Sequence, residues 1–320
     1  MFATQATLAA TQFTRNSLEE IAESKHPFRE ISLEGFRRRN AILDAWFYDI
    51  GTVTPDEAAK LSPWLAREGA ILIVHPSGGP MELCGNIDAF RKAGGEHVRL
   101  LTVAGVGSSA LGSAAFARNV ADAFEQPTAA VVSGYGLADL ASEASGGWFL
   151  FRTLNSLRHN LEHFDAIAGP QHTQAPYTSI GTVGQYVHRL SLDTRTVYEL
   201  LSDKRFKFSL IAGHSKGNLV ISEALFQLET LAHPGAHQPD PETFIVTVSA
   251  AIHMPSRYTR IVDVIGDVDW FGRINSQRDV DIEERCRLAW HHTNTDIPFH
   301  LPVTKTFRKL ATDGTLDPAM

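Results

Sequence analysis

Six short apolar runs, set apart by segments of helical character, limit this chain more than any other feature. They cover residues 70–74, 98–103, 129–132, 206–211, 244–248 and 260–265. Because they are rich in Val and Ile and do not strictly alternate, they read as strands buried on both faces. Helices between them imply parallel βα units. The expected fold class is therefore α/β, a doubly wound and mostly parallel sheet. With 320 residues and 43% apolar positions, such a chain can bury about three quarters of its unfolded surface without metal or disulfide support. That composition excludes a disordered chain, a collagen-like repeat and a disulfide-stapled mini-protein.

The segments outside the runs suggest an organisation. Leu33, Phe36, Ile42, Leu43 and Trp46 fall loosely at helical spacing, and Thr54-Pro55-Asp56-Glu57 has the form of a capping box. Residues 1–69 read as an N-terminal helical extension. Residues 70–133 and 206–320 read as the α/β core. Between them, residues 134–205 hold Gly134, Gly136, Gly146 and Gly147, the apolar cluster Trp148-Phe149-Leu150-Phe151 and a loop around Gly169 and Pro170. A connection of that length inside a compact sheet is usually functional, and it reads as an inserted cap or lid.

Charge narrows the function classes. There are 29 Lys+Arg against 36 Asp+Glu, a formal charge of −7, which argues against a nucleic-acid binder that must neutralise phosphates. The basic cluster Arg37-Arg38-Arg39 reads as a solvated helix face. Cys84 and Cys286 stand alone, without CxxC or Cys/His ligand spacing, and read as small core residues in a reduced setting. No apolar run approaches the ~18 to 20 residues that cross a bilayer, and residues 1–10 lack a basic n-region. A cytoplasmic protein is expected, without stable membrane insertion, cofactor or metal.

The chemistry centres on Gly213-His214-Ser215-Lys216-Gly217, placed between an expected strand and an expected helix. G-x-S-x-G in that context is the pattern of a nucleophile elbow. Ser215 would sit in strained backbone, with Gly213 and Gly217 glycine because any side chain there meets neighbouring backbone. The Lys216 amide at the helix start would form half of an oxyanion hole. A serine that simply caps a helix explains Ser215 but not both glycines. A hydroxyl needs a base and an orienting carboxylate, in chain order Ser, Asp, His. Asp269, on the loop beyond the 260–265 run, is the favoured carboxylate and Asp267 the reserve, while Asp263 lies inside the run. The base is expected on the 291–300 loop, beyond a last strand read at 287–290. There His291, His292 and His300 are all open, with His292 favoured over His300 and a ring nitrogen expected ~2.6 to 3.2 Å from the serine hydroxyl. The second oxyanion donor is expected from Gly107 or Ser108 in the loop at 104–109, with the loop at 75–79 as the alternative. His214, Trp148 and Phe149 are read as substrate-contacting, the two aromatics as walls of an acyl pocket.

These residues resemble the α/β-hydrolase superfamily. Gly213-His214-Ser215-Lys216-Gly217-Asn218 is similar to the elbow of lipase-like hydrolases, especially class-3-lipase-like intracellular proteins. The resemblance implies hydrolysis of a small-molecule ester or thioester through an acyl-serine intermediate. Ser215 would then be the nucleophile, Asp269 the orienter, and His292 or His300 the base.

Two other functions compete. Gly105-Val106-Gly107-Ser108-Ser109-Ala110 matches the G-x-G-x-x-A form of a dinucleotide fingerprint, which would make the chain a Rossmann-type oxidoreductase. However, the next run leads into Ser133-Gly134, where an acid should grip the ribose. A non-catalytic binding protein on the same fold is the third reading.

Overall fold

A computed structural model describes residues 42–61, 68–105, 108–133, 192–231, 237–276 and 282–317. Most of the expected insertion, residues 134–191, lies outside this set. At its centre is an eight-stranded sheet of β1 (Ile71–Val74), β2 (Met81–Cys84), β3 (Leu100–Val103), β4 (Thr128–Val131), β5 (Leu210–His214), β6 (Phe244–Val248), β7 (Ile261–Gly266) and β8 (Glu284–Cys286). The strand order is β2-β1-β4-β3-β5-β6-β7-β8. From β4 through β8 every pairing is parallel, whereas β1 runs antiparallel to both β2 and β4.

The sheet is an α/β structure with helices on both faces. One face packs α3 (Ala110–Phe124), α7 (Val303–Thr312) and residues 48–61 against Leu72, Leu100, Leu210 and Val246. The other packs α2 (Ile87–Lys92), α4 (Leu192–Ser202) and α5 (Lys216–Leu231) against Ile73, Leu101, Ile211 and Ile245. Burial on both sides is the physical reason that the runs lack polar alternation. The short helices α1 (Pro55–Leu61) and α6 (Trp270–Asn275) complete the described set.

Several expectations change. The first strand is not part of a parallel unit, so the loop at 75–79 leaves the sheet at the edge opposite the carboxyl ends of β3 and β5. There Arg118 donates to the carbonyls of His75 (2.6 Å) and Pro76 (2.9 Å). That removes this loop as an oxyanion donor. The last strand ends at Cys286, so residues 287–290 are not a strand. Within the expected N-terminal extension, Tyr48, Ile50, Val53, Ala58 and Leu61 are buried in the main core. Likewise α4, assigned to the insertion by sequence, puts Val197, Leu200 and Leu201 in the core beneath the sheet. Cys84 and Cys286 are free and buried. Among the described residues no helix is long and apolar enough to cross a membrane.

Candidate active site

The elbow is built by steric exclusion. β5 ends at His214, Ser215 stands at φ 52°, and α5 begins at Lys216. That left-handed conformation is costly for a serine and is kept only where its surroundings over-determine it. They do so here: the Ser215 amide donates to the Val248 carbonyl at 2.8 Å, and the Asn218 amide donates back to Ser215 at 3.1 Å. A Cβ at Gly217 would lie 2.0 Å from the Val103 carbonyl oxygen, and one at Gly213 would lie 2.8 Å from the Asn218 amide nitrogen. Only glycines allow α5 to begin this close to β3 and β5.

Ser215 Oγ lies 3.0 Å from Nε2 of His291. The other ring nitrogen of His291, Nδ1, lies 2.9 Å from Asp269 Oδ2 and 3.2 Å from Oδ1. Since a carboxylate only accepts, Nδ1 carries the proton and the Nε2 lone pair faces the serine hydroxyl. Asp269 is fully buried and also caps α6, accepting the Gly272 amide at 2.7 Å. Both oxygens are thereby engaged and the carboxylate cannot swing away. Phe271 stands edge-on to the His291 ring at 4.8 Å between centroids, with Phe47 and Trp290 farther out.

The base expected from sequence is corrected by this geometry. His292 donates from Nε2 to the Pro298 carbonyl (3.1 Å), and burial pushes its pKa down. His300 donates from Nδ1 to the Ile297 carbonyl (3.1 Å). Neither ring meets Ser215. Asp267, the reserve carboxylate, does not meet His291 either: its amide donates to the Cys286 carbonyl, and its own carbonyl accepts from Arg273.

The loop after β3 does approach Ser215. A Cβ at Gly105 would come within 3.1 Å of Ser215 Cβ. Ser108 is a correction, because its amide closes a turn on the Gly105 carbonyl (3.1 Å) and its hydroxyl meets that of Ser113. Gly107, Trp148 and Phe149 lie outside the described residues. Lys216 opens α5 next to the serine, so the positive end of that helix dipole lies at Ser215. His214 is also a correction, since it is buried behind the site rather than facing a substrate. It bonds Tyr48 through Nδ1 (2.9 Å) and the His291 carbonyl through Nε2 (2.9 Å).

Three further residues of the site carry no motif. Asp44 accepts the amides of Ser109 (3.0 Å) and Gly112 (3.1 Å) and the Ser109 hydroxyl, so its carboxylate sits on the N-terminus of α3. Burial raises its pKa to about 7 against those bonds. A dinucleotide would need that same helix end for its pyrophosphate, and β4 leads only to Ser133, whose hydroxyl bonds the Ala104 carbonyl. The residues present therefore do not fit a dinucleotide. Tyr48 accepts the Gly105 amide (2.6 Å), and Ser249, itself at φ 61°, donates to the His291 carbonyl (3.3 Å). No periodicity or spacing marks Asp44, Tyr48 or Ser249, because their partners are remote in the chain. Among the described residues no three His, Cys, Asp or Glu side chains converge as metal ligands. No protein-family model matches this chain, and no curated protein or solved structure is significantly similar to it.

Proposed function

We propose that this protein is a serine hydrolase of the α/β-hydrolase type that cleaves a carboxylic ester or thioester through an acyl-serine intermediate. The single observation that carries the reading is the line from Ser215 Oγ through His291 to Asp269, at 3.0 and 2.9 Å. The chain order Ser, Asp, His and the positive φ at Ser215 support the same fold type. In the first half-reaction His291 Nε2 takes the hydroxyl proton while Ser215 Oγ bonds to the substrate carbonyl carbon. The carbonyl electrons move onto oxygen, beside the start of α5, and return to expel the alcohol or thiol, which leaves with the proton from His291. Water repeats the attack on the acyl-enzyme with His291 again as base. Asp269 stabilises the imidazolium formed in each half.

The test is a fluorophosphonate probe together with chromogenic acyl esters of increasing chain length, applied to wild type and Ser215→Ala. Labelling and turnover in wild type, both lost in Ser215→Ala, are the expected result. An unlabelled wild-type protein assigns the chain to binding without catalysis, and labelling that persists in Ser215→Ala removes Ser215 from the chemistry.

A further inference from the structure

Behind the Ser215–His291 pair runs a buried chain of hydrogen bonds that the acyl-transfer steps do not use. The Gly105 amide donates to the Tyr48 hydroxyl at 2.6 Å. Tyr48 Oη lies 2.9 Å from His214 Nδ1, and His214 Nε2 lies 2.9 Å from the His291 carbonyl oxygen. The proton positions follow from the partners. A carbonyl only accepts, so Nε2 of His214 holds its hydrogen. Its neutral ring then has a lone pair at Nδ1, and the Tyr48 hydroxyl must donate to it. The donors of this chain all point one way, from the loop after β3 to the backbone of His291.

The ring of His214 is sealed in. It packs against Tyr48, Phe116 and His291 at centroid separations of 5.3, 5.9 and 5.3 Å. Burial, and then the neighbouring His291, push its pKa down to about 3. It is therefore neutral near pH 7, and it adds no positive charge beside a His291 ring that must itself become cationic in the transition state. Ser249 supplies a second donor to the same His291 carbonyl. Two residues further along, the Thr293 amide donates to the Phe47 carbonyl at 2.7 Å. The two peptide units that follow His291 are thus anchored, one to the residue before Ser215 and one to the residue before Tyr48.

We infer that Tyr48 and His214 are positioning residues that hold the His291 backbone and the Gly105 loop in register with Ser215. The inference rests on the hydrolase reading of Ser215. A misplacement of about 1 Å in a catalytic group can cost on the order of 100-fold in rate, and this chain is what prevents one.

The experiment compares wild type with Tyr48→Phe, His214→Leu and His214→Gln, using a chromogenic acetate ester, a fluorophosphonate probe and near-UV circular dichroism. Tyr48→Phe removes the hydroxyl alone, and His214→Leu removes both nitrogens. Each is expected to lower kcat by about tenfold to 100-fold with KM within twofold, and to slow labelling of Ser215 in parallel. The glutamine amide nitrogen reaches the place of Nε2 and can still donate to the His291 carbonyl, so His214→Gln is expected to recover most of the loss. Folded variants that keep wild-type kcat, or that change KM alone, overturn the inference. So does loss of the folded state in both Tyr48→Phe and His214→Gln, which would assign the pair to the core alone. A wild type that neither labels nor turns over removes the hydrolase reading and this inference together. A reactive wild type with equally reactive variants removes only the inference.

Discussion

Adjacent in the chain, His291 and His292 hold their rings in different surroundings. Their partners divide accordingly: Ser215 and Asp269 for His291, the Pro298 carbonyl for His292. His291→Ala is expected to lower kcat by about 10² to 10⁴-fold, the usual share of a general base. His292→Ala should change the melting temperature and leave kcat within a few-fold. Steady-state kinetics and thermal melts on both variants check this. A second prediction concerns protons in the folded state. Burial raises Asp44 from 3.8 to about 7, so between those values the folded chain holds a proton there that the unfolded chain has lost. Its contribution is present in full below about pH 3.8 and is lost as pH rises through 7. His214 has the opposite sign: lowered from 6.5 to about 3, it contributes stability above 6.5 that is lost as pH falls through 3. Melting temperatures between pH 4 and 7 should show the gap between wild type and Asp44→Asn narrowing as pH rises. The gap between wild type and His214→Gln should widen.

At the scale of elements, two local devices have measurable strength. Thr54 and Glu57 form the reciprocal capping box expected from their spacing, with Thr54 N–H to Glu57 at 2.9 Å and Glu57 N–H to Thr54 at 3.3 Å. The other Glu57 oxygen holds the buried Arg118. Thr54→Ala should cost about 1 kcal/mol in denaturant unfolding, the typical worth of an N-cap. Gly217→Ala is a different case. Its Cβ would meet the Val103 carbonyl oxygen at 2.0 Å, where no side-chain rotation brings relief, so the variant should fail to give a cooperative transition. Both devices are legible in residue types because each acts over a few positions. The same holds for the strand at 244–248 and for Asp269, set on the loop beyond β7. What was not legible depends on remote pairing. Antiparallel β1 has the same apolar composition as its parallel neighbours, since burial on both faces erases direction from the pattern. β2 is a half-buried edge with one fully buried residue, Cys84, and lacks a run. The early end of β8 shifted the count along the histidine loop, and with it the choice among three imidazoles.

The described residues close around residues 42–53, a stretch that reads in sequence as part of an N-terminal helical extension. Asp44 holds the loop after β3 through Ser109 and Gly112, and Tyr48 holds it through Gly105. On the opposite side, the Ala45 carbonyl accepts from Asn294 at 2.6 Å, the Phe47 carbonyl from the Thr293 amide, and Asp49 from Thr295 at 2.9 Å. One stretch of chain therefore bridges the loop beside Ser215 and the loop that carries His291, which are remote from one another in the sequence. Energetics make it indispensable as well. Ile50 and Val53 are buried in the main core, and each contributes about 1.5 to 3 kcal/mol. Tyr48 is buried with them, and Asp44 would leave behind the amides it accepts. Against a net stability of about 5 to 15 kcal/mol for a typical domain, that sum is of the same order as the whole. A chain starting at residue 54 is therefore expected to lose its cooperative urea transition and its labelling by a fluorophosphonate probe together. Retention of either in the shortened chain would show that β3, β5 and the histidine loop align without the bridge, and that the contacts of residues 42–53 are incidental to the site.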